Sequence, residues 1–584
     1  MGRPSLMGLS RYVPASLRPR AHQASRTLRR AAGAVPRSPA QGRASAERVL
    51  DRRIVPDEQR RALLLRAFEA RARLATGSAR DQASITRQAL GLGRRLTRLG
   101  HPAAAVRVYT AGEAALREPS QRLLLTVQRT ALELRRGEVP ADLWERLADL
   151  LALADRHLDA GDTDTAGTRL QEAYNLAFHR TLHFEDRMSP LAADPDAFLA
   201  PLRASAAHRA VETLTPRERP TATSGAGRPH RLLVTTFMNW NFLGGILDDY
   251  RATPGVEVRT LDLQQIPDGP WRAQPVDLVK DRLRQTRSGP PLEPPAEVRE
   301  AFDWADTVFV EWGHRALSWV SMLPEVSARV VVRVHSYEAF TPMPLHTDWA
   351  GVDDVVFVSP HIRALVEAAV PGIHAVRRHT IVNRNLLDTF ARPKLPGAEH
   401  VLGLIGWNNV TKDPAWALDV LEALHRHDDR YRLRLLGNEF DRTNVTGASA
   451  AYRATLMRRI EAFGPAVERP GFTDDVPEAL RGIGVILSTS RREGTHEGLA
   501  QGAASGALPV VRNWPYVARW GGPASLYPQS WVVETPDAAA ARILDLAGSG
   551  RLGSASSDAA EWVRTQYDWS VVRPRLDEVL LGPR

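Results

Sequence analysis

Ser490-Arg-Arg-Glu-Gly-Thr-His-Glu-Gly-Leu-Ala-Gln-Gly-Ala-Ala-Ser-Gly-Ala-Leu-Pro-Val-Val, residues 490–511, is the stretch that decides the fold. An apolar run at 483–488 precedes it, and the small residues Ala500–Ala504 favour a helix within it. The pattern predicts a strand, a loop and a helix whose N-terminal N–H groups favour a phosphate. An ordinary strand–loop–helix connection is the alternative that the pattern leaves open.

Several residues of this stretch suit the recognition of a polar ligand. Glu493 offers a carboxylate that accepts hydrogen bonds from hydroxyl groups. Because glycine has no Cβ, glycines in the loop and the helix would let a ligand approach the backbone closely. These glycines are Gly494, Gly498 and Gly502.

The stretch belongs to a longer alternation of short apolar runs and helix-length segments. The alternation begins near residue 231, breaks at 393–400 and then restarts. Continuous apolar runs are typical of strands that are buried on both faces, as in parallel sheets. We therefore predict an α/β protein with two doubly wound, Rossmann-like domains that face a cleft. The predicted strands are 231–237, 256–263, 307–311, 329–334, 355–359, 401–405, 432–437, 483–488 and 508–512.

A different composition precedes the α/β region. Apolar residues recur at three- and four-residue spacing between residues 51 and 213, which predicts an irregular, all-α helical-hairpin domain. A segment rich in Pro and Gly follows it as a linker. The predicted boundaries are a basic tail at 1–50, the helical domain at 51–213, the linker at 214–229, Rossmann-like domains at 230–395 and 396–565, and a C-terminal helix at 566–584.

The net charge of +10 resides mostly in the first 50 of the 584 residues, which hold ten Arg and one Glu. This composition predicts a disordered tail, and attraction to an anionic membrane face is compatible with disorder. Nucleic-acid binding is disfavoured because only Tyr12 interleaves with these arginines. The chain has no Cys, which excludes disulfides and thiolate metal sites, and it has no apolar run long enough to span a membrane. We expect a cytoplasmic protein whose tail would favour the inner membrane face.

A second informative stretch lies at 401–414 and has the pattern of a strand, a glycine turn at Gly406 and a loop that contains Lys412. Only three of the 77 basic residues are lysines, and Lys412 is one of them. A compact ammonium group on a flexible stem suits an oxygen of a diphosphate. A solvated loop lysine is the alternative interpretation.

These two stretches resemble the retaining glycosyltransferases of family 4, which have the two-Rossmann GT-B fold. The spacing from Gly406 to Lys412 matches the family, and so does a set of signature residues. That set is Ser490, Glu493, Gly494, Gly506, Pro509 and Val510. Two positions depart from the family: Gln501 replaces a Glu that binds ribose hydroxyls, and Trp407 replaces an Arg that binds phosphate.

The resemblance implies a nucleotide-sugar site in the second Rossmann-like domain and an acceptor site in the first. Lys412 would hold the donor diphosphate, while Glu493 and His335 would orient the sugar, so these three are the predicted catalytic residues. The predicted donor-binding residues are Gly406, Gly494, Gly498, Gln501, Gly244 and Gly245. Proteins of this fold generally work without a metal, and we expect no cofactor besides the donor substrate.

The predicted reaction moves a sugar, with retention, from a nucleotide diphosphate sugar to a hydroxyl of a glycan or lipid-linked acceptor in envelope or surface glycan synthesis. Gln501 and Trp407 motivate a competing hypothesis, a catalytically weak GT-B binding module. Two further hypotheses are a different two-Rossmann enzyme, such as a sugar-nucleotide epimerase, and a protein-interaction scaffold built on the helical domain. His179 and His183 have a zinc-like spacing, but we favour helix packing because no third ligand is evident.

Overall fold

The structure, a computed structural model, describes residues 58–217, 227–266, 275–287, 289, 291–324, 326–440 and 447–582. The predicted tail at 1–50 and the middle of the predicted linker lie outside the described residues. The described chain divides into two compact units, one of 58–134 with 138–149 and one of 135–137 with 150–582. The helical region predicted at 51–213 is therefore shared between the units, and its part beyond residue 150 belongs with both sheets.

The first unit consists of helices whose apolar faces meet in one core. Its helices are α1 (Glu58–Arg73), α2 (Ala79–Arg98), α3 (Pro102–Ala115), α4 (Pro119–Arg135) and the start of α5 (Leu143–Asp159). Ser78 caps α2, and its side chain accepts a hydrogen bond from the N–H of Asp81. A Cβ on Gly93 would lie 2.3 Å from the ring of Tyr109, so glycine at this position lets α2 and α3 pack closely.

The second unit begins with short helices and continues into a six-stranded parallel sheet in the order β2-β1-β3-β4-β5-β6. The short helices are α6 (Thr163–Ala177), α7 (Arg180–His183), α8 (Pro190–Ala193), α9 (Pro195–Ala204) and α10 (Ala206–Glu212). The elements of the sheet region are β1 (His230–Thr236), α11 (Gly244–Arg251), β2 (Val256–Asp262), α12 (Pro275–Thr286), α13 (Ala296–Trp304), β3 (Thr307–Glu311), α14 (Arg315–Val320), β4 (Arg329–Val334), α15 (Met343–His346), β5 (Asp354–Phe357), α16 (Pro360–Ala369) and β6 (Arg377–Thr380).

A second six-stranded parallel sheet follows, in the order β12-β11-β10-β7-β8-β9. Its elements are β7 (Val401–Ile405), α17 (Pro414–His425), β8 (Arg432–Leu436), α18 (Gly447–Phe463), β9 (Val467–Gly471), α19 (Val476–Leu480), β10 (Val485–Ser488), α20 (Glu497–Ala504), β11 (Leu508–Arg512), β12 (Val532–Val533), α21 (Pro536–Gly548), α22 (Leu552–Tyr567) and α23 (Trp569–Leu581). Two parallel sheets with helices, preceded by a helical region, confirm the predicted GT-B architecture. No helix of the described ranges is long and apolar enough to cross a membrane.

The last helix, α23, returns to the first sheet. Its apolar face joins the core of that sheet, where Trp569, Val572 and Leu576 pack with Leu232 and Phe309. Polar contacts also hold it, since Thr307 Oγ1 donates a 2.8 Å hydrogen bond to the carbonyl of Leu580. The C-terminal helix predicted at 566–584 therefore belongs to the core of the first Rossmann-like domain.

Candidate active site

Loops of both sheets line one cavity of about 380 Å³. In an open parallel sheet, ligands bind outside the carboxyl ends of the strands, where the strand order reverses. The order reverses between β1 and β3 in the first sheet and between β7 and β10 in the second. The chain that follows these four strands contributes Phe242, Trp312, Gly406 and Glu493 to the lining, so the cavity lies at both reversal points.

Lys412 and Glu493 form an ion pair in the wall of this cavity, with 2.6 Å between Nζ and Oε1. Ser490 Oγ donates a 2.5 Å hydrogen bond to the same carboxylate oxygen. Burial alone would raise the pKa of Glu493, but the charge and hydrogen bond of Lys412, together with His496 and the hydrogen bond from Ser490, outweigh burial and hold the pKa at about 2. The carboxylate is therefore ionised at neutral pH, and Lys412 balances its charge.

Hydrogen bonds between two loops fix the position of this pair. Thr489 Oγ1 donates to the carbonyl of Lys412 at 2.6 Å, and the N–H of Arg491 donates to the carbonyl of Thr411 at 2.7 Å. Asp413 follows Lys412 in a left-handed conformation, with φ 44°. Its carboxylate accepts hydrogen bonds from the side chains of Tyr452, Arg491 and Arg512. The loop that carries Lys412 is thus held in place before any ligand binds.

The wall from the first sheet contains His335, whose Nε2 donates a 2.8 Å hydrogen bond to Glu311 Oε1. Arg333 donates to both carboxylate oxygens of Glu311 at distances of 2.8 to 3.1 Å. Burial alone would raise the pKa of Glu311, but the charge of Arg333 and the hydrogen bonds from His335 and Arg333 together bring it below its usual value. Because Nε2–H donates its hydrogen bond to Glu311, Nδ1 is the ring nitrogen that can accept one.

Aromatic rings cover the same wall. Trp312 stacks on His335 with 4.1 Å between the ring centroids, and Phe242 meets Trp312 edge-on at 5.3 Å. Trp312 has a φ of 69°, which is rare for a bulky residue and is often found at functional sites. Phe242 and Tyr337 are 40% and 47% exposed, so the cavity presents apolar ring surface to a ligand.

Three of the predicted glycines of the second sheet line the cavity, and Gly502 does not. Gly406, with φ 74°, forms the turn after β7, and both Gly406 and Gly494 line the cavity. Gly498 also lines it, although a Cβ at this position would lie 2.9 Å from Ile405. A Cβ on Gly502 would lie 2.3 Å from Ile486. Gly502 therefore lets α20 pack against β10, which corrects its predicted role in ligand approach.

Gly244 and Gly245 do not line this cavity; they begin α11. A Cβ on Gly245 would lie 2.3 Å from the guanidinium of Arg384, whereas no atom lies within 4 Å of a Cβ on Gly244. The chain between β1 and α11 contributes Phe242 to the cavity instead. Gly245 therefore makes room for Arg384, which differs from the donor-binding role predicted for it.

Gln501 and Glu497, one turn apart on α20, hold the segment that connects the two sheets. Gln501 Nε2 donates to Asn385 Oδ1 at 3.1 Å, and Asn383 Nδ2 donates to Glu497 Oε1 at 2.7 Å. Asn383 and Glu497 line the cavity, whereas Gln501 does not. Gln501, which is predicted to bind the nucleotide, thus forms a contact between the two Rossmann-like domains instead.

The side chain of Trp407 points away from the cavity. It is buried in the core of the second sheet and meets Phe440 edge-on. Among the described residues that line the cavity, Lys412 is the one Lys or Arg. Trp407 therefore adds no polar group to the described lining of the cavity, where Lys412 stands without an arginine beside it.

Sequence reasoning missed several residues that shape the site. His361 Nε2 donates to the carbonyl of Glu493 at 2.9 Å, which ties the loop of Glu493 to the first sheet. Asp413, Trp312 and His496 were also missed, and all three have positive φ. The sequence gives one indication of their role: each lies within a few residues after a predicted catalytic residue or a predicted strand.

The described ranges contain no group of three or more His, Cys, Asp or Glu side chains that could hold a metal ion. His183 is buried, shares a 2.8 Å hydrogen bond with Ser189 Oγ, and donates another of 2.8 Å to the carbonyl of Ala177. His179 accepts a hydrogen bond from the N–H of Thr181 at the start of α7. Both histidines therefore support helix packing.

Replacing Gly502 by alanine is expected to lower the free energy of unfolding by about 1–3 kcal/mol, because the new methyl group overlaps Ile486. The matched control is Gly91→Ala in α2, where no atom lies within 4 Å of the added Cβ. That substitution is expected to raise the free energy of unfolding by about 0.5–1 kcal/mol. Urea unfolding of both variants tests the pair, and equal effects would contradict the packing role of Gly502.

Comparison with known proteins gives similarity in structure but not in sequence. No protein-family model matches the chain. No curated protein matches it in sequence. Among solved structures, TarM aligns over 46% of this chain and 54% of its own, with 15% identity and a TM-score of 0.36. HepE of Anabaena, in complex with UDP, aligns over 60% of this chain and 100% of its own, with 14% identity and a TM-score of 0.44.

A mutant of the Thermobaculum terrenum O-GlcNAc transferase aligns over 90% of this chain and 98% of its own, with 17% identity and a TM-score of 0.43. Glycosyltransferases are thus among the solved structures that this chain resembles. The chain spans about half the length of TarM.

Proposed function

We propose that the chain is a glycosyltransferase that moves a sugar from a nucleotide diphosphate sugar to an acceptor hydroxyl. One observation carries the proposal: Lys412 and Glu493 from the second sheet and His335 from the first line the same cavity. A cavity between two Rossmann-like sheets suits a nucleotide bound to one sheet and an acceptor bound to the other. The exposed rings of Phe242 and Tyr337 suit the apolar face of a sugar, which supports a glycan or lipid-linked acceptor.

In this reaction, the bond between the anomeric carbon and the diphosphate oxygen breaks, and negative charge develops on that oxygen. Lys412 Nζ would donate a hydrogen bond to the diphosphate, and the free N–H groups at the start of α20 would stabilise the same charge. Glu493 would then be free to accept hydrogen bonds from the hydroxyl groups of the donor sugar. Preformed loop contacts around Lys412 support this role, because less reorganisation is required when the charge develops.

We propose retention at the anomeric carbon, as in the family that the sequence resembles. In a retaining transfer, the acceptor oxygen attaches to the face that the diphosphate leaves, and the departing diphosphate oxygen takes the proton of the acceptor hydroxyl. Inversion must be tested as the alternative outcome, because a histidine that Glu311 orients, such as His335, is also a suitable general base for an inverting transfer. Proton NMR of the first product formed distinguishes the two outcomes by its anomeric coupling, and an inverted product would contradict the proposal.

The experiment that tests the proposed function is a thermal-shift screen of the full chain against UDP-, GDP-, ADP- and dTDP-sugars. A donor that binds the native protein must raise its melting temperature. Release of nucleoside diphosphate from the same donor, measured by a coupled assay, then tests for transfer or slow hydrolysis. If no nucleotide sugar raises the melting temperature and none is consumed, the proposal is wrong.

A catalytically weak binding module is the second candidate, and the composition of the cavity wall favours it. Lys412 is the one Lys or Arg in the described lining, and it is paired with Glu493. A diphosphate would have to compete with that carboxylate for the ammonium group. A nucleotide sugar that stabilises the protein but is not consumed, with or without glycan acceptors, would favour this candidate.

Replacing Gln501 by glutamate tests the ribose contact that the family resemblance implies: nucleoside diphosphate binding tightens by up to about ten-fold if the donor ribose takes the place of Asn385 beside this residue. The reason is that a carboxylate forms stronger, charge-assisted hydrogen bonds with hydroxyl groups than an amide does. Isothermal titration with the best nucleotide of the screen measures the effect, with Gln501→Ala as the control for loss of the Asn385 contact. Weaker binding to the glutamate variant would show that position 501 does not serve the ribose.

A further inference from the structure

A row of exposed arginines runs along one face of α2. The row consists of Arg80, Arg87, Arg94 and Arg98, and all four residues are exposed. At 100° per residue they fall within about 40° of one another, and from first to last they extend about 27 Å along the helix axis. The opposite face of α2, which includes Ile85, Ala89 and Leu96, is buried in the core of the first unit. We call these four residues the arginine row.

The arginine row carries unbalanced positive charge. Within the described part of the chain, none of its four guanidinium groups forms an ion pair, whereas Arg71, Arg107 and Arg129 of the same unit pair with acidic side chains. Residues 58–134 contain fourteen Arg and six acidic residues, a net charge of +8. Since residues 1–50 contribute +9 and 51–57 contribute zero, residues 135–584 have a net charge of −7. With residues 138–149, which hold one Arg and four acidic residues, the described first unit has a net charge of +5, and apart from residues 1–50 it is the basic part of the chain.

The residues around the arginine row indicate which class of anionic ligand the row binds. α2 has no aromatic side chain on which a nucleic-acid base could stack. Gly91 lies on the same face, and a Cβ there would have no neighbour within 4 Å, so no other part of the described chain covers the row at this point. Leu99 directly follows the row and is 47% exposed. A straight line of cations beside an exposed apolar side chain fits a planar surface of anionic lipid headgroups better than a nucleic-acid groove.

We infer that the arginine row is a docking surface for an anionic lipid bilayer. The four guanidinium groups contact headgroup phosphates, and Leu99 reaches the boundary between headgroups and acyl chains. α2 itself does not insert, because its apolar face is already buried. This surface is independent of the proposed cavity, so its test does not depend on the proposed transfer reaction.

The test is co-sedimentation of the full chain with vesicles of phosphatidylcholine, with and without phosphatidylglycerol. Replacing all four residues of the row by glutamine is expected to lower partitioning onto the anionic vesicles at least ten-fold, on the basis of roughly five-fold per arginine at the surface. High salt is expected to release the parent protein, and vesicles of phosphatidylcholine alone are expected not to bind it.

The matched control removes the same charge from another face of the same unit. Arg66, Arg73, Arg107 and Arg117 are exposed on α1, α3 and the turn after α3, and none of them lies on α2. Their replacement by glutamine is expected to lower partitioning by less than about three-fold, because these residues do not face the bilayer. Circular dichroism of both variants establishes that they are folded.

Three results would overturn the inference. Equal losses in the row variant and the control variant would show that binding follows net charge and not the row. Unchanged partitioning of the row variant, with loss only when the ten arginines of residues 1–50 are replaced, would assign docking to the tail. Loss of binding to RNA or to duplex DNA, with vesicle binding retained, would assign the row to nucleic acid.

Discussion

Replacing Lys412 by alanine is expected to lower kcat/KM for sugar transfer roughly 10–100-fold. The variant loses a charge-assisted contact to the diphosphate, which is worth on the order of 1.5–3 kcal/mol. Steady-state rates at subsaturating donor measure the effect, and Lys412→Arg is expected to recover part of the loss because it retains the charge. An unchanged rate in the alanine variant would remove Lys412 from the mechanism.

The same substitution also affects stability, because it leaves Glu493 without its cation. Glu493 has a pKa of about 2 in the folded protein against a usual value of 4.5, so its ionised form stabilises the fold by up to about 3 kcal/mol at neutral pH. Because folding lowers the pKa of Glu493, this stabilisation is fully present above about pH 4.5 and is lost as the pH falls toward 2. The difference in unfolding free energy between parent and Lys412→Ala should therefore be largest at neutral pH and shrink in acid.

A double variant separates the two roles of Lys412. Lys412→Ala combined with Glu493→Gln contains no unpaired buried charge, so it is expected to regain stability but not activity. Urea unfolding and transfer rates on the same four proteins complete the cycle. If activity returned together with stability, Lys412 would act only by holding the loop.

Replacing Arg333 by methionine is expected to lower the free energy of unfolding by about 3–5 kcal/mol. The substitution removes the guanidinium that pairs with the fully buried carboxylate of Glu311 and leaves it the hydrogen bond from His335, and breaking a buried pair is strongly destabilising. Urea unfolding at neutral pH measures the loss. Adding Glu311→Gln to the methionine variant is expected to restore much of it, since the unpaired charge is then removed.

An exposed arginine provides the control for this prediction. Arg299 pairs with Glu293 at 3.3 Å, and both side chains are largely exposed. Arg299→Met is expected to change the free energy of unfolding by less than about 1 kcal/mol. A loss in Arg333→Met as small as that in the control would show that Glu311 does not depend on Arg333.

The sequence predicted the central strands better than the edge strands. All nine predicted strands are present, and the three that were missed are β6, β9 and β12. Two of these, β6 and β9, have exposed or half-buried charged residues, and β12 has only two residues. An edge strand is solvated along one side, so it does not need the continuous apolar run by which buried strands are recognised.

The residues of the site were predictable where the chemistry of a single side chain determines its role. They were less predictable where the role depends on contacts with a distant segment of the chain. The spacing of Gly406 and Lys412 and the position of Glu493 predicted residues that the structure brings to one cavity. The packing of Gly502 on Ile486 and the contact of Gln501 with Asn385 join residues that are distant in sequence. Such contacts depend on the tertiary fold, which a single sequence does not reveal at the level of side chains.

The return of α23 to the first sheet has a consequence for biosynthesis. All six strands of the first sheet leave the ribosome before the second sheet, yet Trp569, Val572 and Leu576, which complete its core, are synthesised last. The second domain can thus bury its own core while the first still exposes apolar surface to chaperones and proteases. A stop codon just before residue 569 would therefore destabilise the first Rossmann-like domain more than the second, although the truncation lies directly after the second.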